Sequence, residues 1–143
     1  MLSLLKSFRL QLIRVERHLL DFNSEHIPER EDINLAFSLG VRMQDDKEAN
    51  VCNLHIMCVS KINDLKENEE NPFSLELGIS YKFKIIDSDT FYALQDEERA
   101  ELLSNMVFLQ FRRKLMSCFA DAGLSSIKFP LSFDKMREFS AES

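Results

Sequence analysis

Phe73-Ser74-Leu75-Glu76-Leu77-Gly78-Ile79-Ser80-Tyr81-Lys82-Phe83-Lys84-Ile85 alternates without a break. Phe73, Leu75, Leu77, Ile79, Tyr81, Phe83 and Ile85 fall on one side, and Ser74, Glu76, Gly78, Ser80, Lys82 and Lys84 on the other. Successive side chains of an extended chain point to opposite faces, so this stretch is a strand with one apolar and one polar face. Ile33 to Met43 repeats the pattern, with Ile33, Leu35, Phe37, Leu39, Val41 and Met43 against Asn34, Ala36, Ser38, Gly40 and Arg42. Phe8 to Asp21 begins in the same way, then shifts its apolar parity from Leu12 to Ile13 and Val15, the mark of a bulge. Val51 to Ile62 is apolar on both faces, as expected of a central strand or of one at a subunit contact.

The links between these strands are polar. Asn23 to Asp32 carries Pro28 and a run of charges and is too long for a tight hairpin, whereas Asp45–Asn50 and Asn63–Pro72 suit antiparallel hairpins. After Asp87 the period changes. Asp96 is placed to cap a helix, with Glu97 and Glu98 in its first turn. Phe108, Phe111, Leu115, Phe119 and Ala122 then recur at helical spacing, beside a second apolar stripe of Leu109, Met116 and Ala120. Gly123 followed by Leu124 reads as a left-handed C-terminal cap, and Ser132 as the cap of a short last helix through Phe133, Met136 and Phe139. Strands first and helices last predict a single α+β domain spanning 1–143. It has a four-stranded antiparallel sheet, Greek-key-like with a long first crossover, and one long and one short C-terminal helix on one face. The wide helix stripe and the two-sided third strand leave apolar surface over, which predicts an oligomer.

Composition narrows the function. The 143 residues carry 24 acidic and 18 basic side chains, a formal charge of −6, with 45% hydrophobic residues. That balance opposes sequence-independent nucleic-acid binding, which rests on neutralised phosphates. No apolar run approaches the roughly 20 residues that span a bilayer. The opening Met1-Leu2-Ser3-Leu4-Leu5-Lys6 lacks a basic leader region, and the 3 cysteines are an odd number, so a reducing cytoplasm is expected. With 3 Gly and no glycine-rich phosphate loop, nucleotide-dependent chemistry is disfavoured, and no cofactor is expected.

Side-chain chemistry returns mostly structural readings. Cys52-x-x-His55-x-x-Cys58 has a metal-like spacing, but on a strand the two sulfurs share a face about 20 Å apart at roughly 3.3 Å per residue, with the imidazole on the other face. Asp45-Asp46 and Asp87-x-Asp89 read as turn formers, and Arg112-Arg113-Lys114 fans around a helix rather than forming one patch. His18, His26 and His55 are scattered, with no nucleophile turn near them, so an enzyme is not expected. The 12 Phe and 6 Met suit either an ordinary core or a surface that accepts many apolar partners.

The order of these segments resembles the bacterial export chaperone family SecB. Phe8-Arg9-Leu10-Gln11-Leu12 is similar to that family's first strand, Ile33-x-Leu35-x-Phe37 to its second, and Phe73-Ser74-Leu75-Glu76-Leu77 to its fourth. Phe129-Pro130-Leu131-Ser132-Phe133-Asp134 resembles the turn that joins the family's long helix to its last one. The resemblance spans Phe8 to Phe139. It implies an ATP-independent holdase in the cytoplasm, a homotetramer built as a dimer of dimers, that binds unfolded precursor proteins in apolar grooves between sheet and last helix. Ile33, Leu35, Phe37, Leu131, Phe133 and Met136 correspond to that client groove. The resemblance also implies docking to the translocase motor SecA through acidic positions on the outer sheet face, here Asp21 and Glu76. There are departures. A further acidic position of the family is Arg17 here, and the proline early in the long helix is missing from Leu109-Gln110-Phe111. Service to the export motor or to another system, such as the antitoxins guarded by some relatives, both stay open. Two other classes also remain: a small-ligand or enzymatic domain with a sheet–helix pocket, for which His55 with Cys52 or Asp87 is the available polar cluster, and a purely structural oligomer subunit.

Overall fold

The fold is described from a computed structural model, which covers residues 2–23, 25, 27, 35–62, 71–124 and 127–142, the side chains of 139–142 excepted. Ile33 therefore lies outside the described residues, as do His26 and most of the first crossover. A short helix α1 (Leu2–Leu5) precedes strands β1 (Phe8–Phe22), β2 (Leu35–Asp46), β3 (Val51–Ile62) and β4 (Phe73–Ile85). Three helices follow: α2 (Ser88–Phe91), α3 (Asp96–Asp121) and α4 (Phe133–Glu142). The sheet is four-stranded and antiparallel, in the order β1-β4-β3-β2. The chain leaves β1 at one edge and starts β2 at the other, which is why the first connection is long.

Strand register follows the alternation in sequence. Phe73, Leu75, Leu77, Ile79, Tyr81, Phe83 and Ile85 are all buried against the helices, as are Cys52, Leu54, Ile56, Cys58 and Ile62 of β3. β1 is irregular where its parity changes: the pairing with β4 shifts between Leu10 and Leu12 and again between Val15 and Arg17. Each extra residue tips the strand and increases its twist.

α3 ends as its sequence dictates. Gly123 takes φ +80°, Leu124 N–H donates to Phe119 O (2.8 Å) and Gly123 N–H to Ala120 O (3.0 Å), the paired bonds of a Schellman cap. Its start differs from the expectation. Gln95 is the cap residue and Asp96 the first helical one, because the Asp96 carboxylate is taken by Arg99 (2.6 Å). Arg99 also reaches Asp45 on β2 (3.1 Å) and Leu94 O (2.7 Å), with its guanidinium 4.8 Å from the Tyr92 ring centroid. Asp45 is thus an ion-pair partner that ties α3 to the sheet, not a turn former, whereas Asp46 does close its turn through Ala49 N–H (3.1 Å). Asp87 bonds Thr90 as expected and so caps the short α2. Arg112 donates to Phe129 O and Pro130 O, and Ser132 Oγ accepts from Lys135 N–H (3.2 Å), which together lead the chain into α4.

Candidate functional site

α4 packs on the end of β2. Leu35 and Phe37, on the helix face of β2, are 8% and 4% exposed, and Phe133 and Met136 of α4 are 3% and 0% exposed. Phe37 stacks on Phe129, and Phe133 meets Phe108 edge-on at 6.1 Å. Four of the candidate groove residues are therefore brought together, but as a closed sheet–helix contact. Leu131, just before α4, is 73% exposed.

The same β2 row opens further along. Leu39 is partly buried and Val41 is exposed, and here a cleft of about 560 Å³ opens between β2, α3 and α4. Leu39, Val41 and Phe133 supply its apolar side, Glu97, Glu101 and Arg137 a charged rim, and Ser104 a buried hydroxyl. Ser104 Oγ is buried with no hydrogen-bond partner among the described residues. The strand and face were readable from alternation, but the position of the cleft was not, because it depends on how α4 docks.

Two further apolar rows are uncovered. On the helix face of β1, Leu10, Ile13, Val15 and Phe22 stand about 40% or more exposed, since α3 lies over β2, β3 and β4 instead. On the outer side of α3, Met106 and Leu109 are 49% and 59% exposed. Gln110 accepts from the Tyr81 hydroxyl on the flank between these rows.

The opposite face of the sheet carries the charged positions. Asp21 pairs in register with Ser74 and Leu19 with Glu76, so Asp21 and Glu76 share this outer face. Glu76 is already engaged, because its carboxylate accepts from Arg17 Nε. His55 Nδ1 lies 2.9 Å from Glu16 Oε1, at the edge of a shallow hollow lined also by Gly40, Arg42 and Met57. Cys52 and Cys58 point to the helix face and His55 away from them, so the alternative polar cluster of His55 with Cys52 is not brought together. Burial and a hydrogen bond to Asp45 push the Cys52 thiol up to about 12, and burial likewise raises Cys58. All three cysteines are free, buried and protonated at neutral pH, with Cys118 Sγ 3.3 Å from His18 Nε2. Among the described residues no group of His, Cys, Asp or Glu converges as a metal site, and no helix is long and apolar enough to cross a membrane.

No family model and no curated protein matches this sequence. Among solved structures, the chain is similar to the SecB-like chaperone of Mycobacterium tuberculosis in complex with a ChAD peptide from the HigA1 antitoxin. The TM-score is 0.65 at 10% identity, over 91% of this chain and 94% of that one. The fold of this chain is therefore SecB-like, a four-stranded antiparallel sheet with a long and a short C-terminal helix.

Proposed function

We propose that this chain is a cytoplasmic, ATP-independent holdase, one SecB-like unit over 1–143, that binds unfolded protein segments and assembles as a homotetramer. The observation that carries the reading is the apolar surface left uncovered on a SecB-like fold: the β2 row at Val41, the β1 row and the outer stripe of α3. Burying such surface is favourable by about 25 cal/mol per Å² and asks for no defined client sequence. A dimer of dimers needs two different two-fold interfaces, and the β1 row and the α3 stripe supply two. Clients then enter the β2–α3–α4 cleft. Leu35, Phe37, Phe133 and Met136 form the closed end of the same groove and are reached only as α4 lifts, and Leu131 extends its rim. The three free, buried cysteines fit a reducing compartment.

Precursors bound for export and antitoxins remain alternative clients, and the neighbour's bound peptide supports peptide capture in general. The SecA-docking role implied for Asp21 and Glu76 draws no support from the Arg17–Glu76 pair, which occupies one of the two carboxylates.

The test is light scattering on a sizing column with a reduced, alkylated client that cannot refold. A tetramer that co-elutes with this client, ignores its native form and needs no nucleotide is the expected result. Val41→Asp, at an exposed position, should cut capture several-fold with the melting temperature unchanged. An oligomer that never captures client would overturn the reading in favour of a structural subunit, whereas a small molecule that raises the melting temperature would favour a ligand carrier.

A further inference from the structure

The outer sheet face carries a charge opposite to that of the chain. At the end where β1 and β3 begin, Arg9 stands directly opposite Lys84, Lys82 follows on the same face of β4, and Arg14 stands opposite Ser80. Facing residues of neighbouring strands lie about 5 Å apart, and residues two apart on one strand about 6.7 Å. The cluster is therefore a compact cationic field roughly 13 Å long. Arg9, Arg14 and Lys84 are exposed and Lys82 half-buried. Among the described residues none of these has a carboxylate partner, although Glu16 and Glu76 further along the same sheet are both paired. Like charges directly opposite one another weaken a sheet, so Arg9 against Lys84 is a local cost that the isolated chain does not recover. Leu12, opposite Lys82 and about half exposed, puts an aliphatic patch inside the field.

We propose that this end of the outer face docks an acidic protein segment in which carboxylates alternate with aliphatic side chains. Its carboxylates would meet Arg9, Lys82, Lys84 and Arg14, and an aliphatic residue would cover Leu12. A protein partner fits better than nucleic acid. A molecule of net −6 repels a dense polyanion at long range, and the cluster offers no aromatic side chain for bases to stack on. The surface lies on the other side of the sheet from the β2–α3–α4 cleft, so its occupant is distinct from an unfolded client.

The full chain is titrated, by fluorescence anisotropy, into a short labelled peptide that alternates glutamate and valine, at low and at physiological salt. Binding that weakens as salt rises is expected, with at least a tenfold loss in the Lys82→Glu/Lys84→Glu double variant. Lys82→Gln/Lys84→Gln should give a smaller loss, and Lys135→Glu on α4 none. Capture of the reduced, alkylated client should be unchanged in all of these, which separates this surface from the holdase reading. The proposal is overturned by equal binding of the lysine–valine counterpart peptide, or by parental affinity in both double variants when circular dichroism shows them folded. It is also overturned if duplex RNA or phosphatidylserine vesicles bind while the acidic peptide does not.

Discussion

Arg99 concentrates more polar chemistry than any other side chain described here. Its guanidinium is 5% exposed and holds Asp45 of β2, Asp96 of α3 and the Leu94 carbonyl, with the Phe91 and Tyr92 rings beside it. Removing Arg99 leaves Asp45, about three-quarters buried, without its cation, whereas the exposed Asp96 is simply returned to water. Arg99→Met is expected to cost about 3 kcal/mol, read from the urea midpoint at unchanged slope. Cys52 beneath it gives a pH signature. Its thiol is raised from 9.0 to about 12 in the folded state, so the unfolded chain gives up its proton first. The contribution is intact below pH 9 and is lost as pH rises toward 12. Stability should therefore fall as pH rises from about 9 toward 12, and the fall should be shallower in Cys52→Ala. Gly78 is a third case. A Cβ there would come 2.7 Å from Met57 Cε, the far end of a flexible side chain that can swing aside. Gly78→Ala should therefore be nearly neutral, and a double-mutant cycle with Met57→Ala should show the coupling.

Among the elements, α4 is held from outside itself. Arg112 donates to both Phe129 O and Pro130 O, and Ser132 caps the first turn. Arg112→Gln should loosen α4 while leaving the sheet intact, seen as faster hydrogen exchange at Met136 than at the β3 and β4 amides. If α4 is the gate of the client groove, the same variant should capture client faster. The elements differ in how plainly their sequences announced them. β4 runs between the residues at which alternation begins and ends, and β3 over its two-faced apolar run, because both are paired on both sides. The first bulge of β1 was visible as a parity shift and the α3 cap as Gly-Leu, but the second bulge, between Val15 and Arg17, was not. The short α1 and α2 were not visible, since four residues span too little for a period to show. The groove was half legible. Alternation put Leu35 and Phe37 on the correct face, but whether a row is open or closed depends on the path of a helix far along the chain. The Arg17–Glu76 pair was hidden for the same reason: strand register brings together residues 59 positions apart.

For the whole molecule, the question is what covers the apolar rows of β1 and α3. Val15, Leu10 and Ile13 lie on an edge strand that also presents unpaired backbone groups, an arrangement that invites pairing with another chain unless something occupies it. The Arg residues on its outer face and its bulges limit such pairing to a partner that tolerates them. A second copy related by a two-fold axis would set its own apolar row of Leu10, Ile13 and Val15 against this one and bury both, at the cost of bringing like-charged arginines near each other. Met106 and Leu109 lie on the exposed side of α3, so in the proposed tetramer they would belong to a different contact. The two rows should therefore separate under mutation. Leu109→Glu with Met106→Glu should halve the mass seen by light scattering, from tetramer to dimer, with the melting temperature of the remaining species retained. Ile13→Glu with Val15→Glu should disrupt the other interface, and should cost stability as well, because an exposed edge strand is then left without a neighbour. A monomer in the unmodified protein at micromolar concentration would contradict the assembly, and would leave both rows available to clients instead.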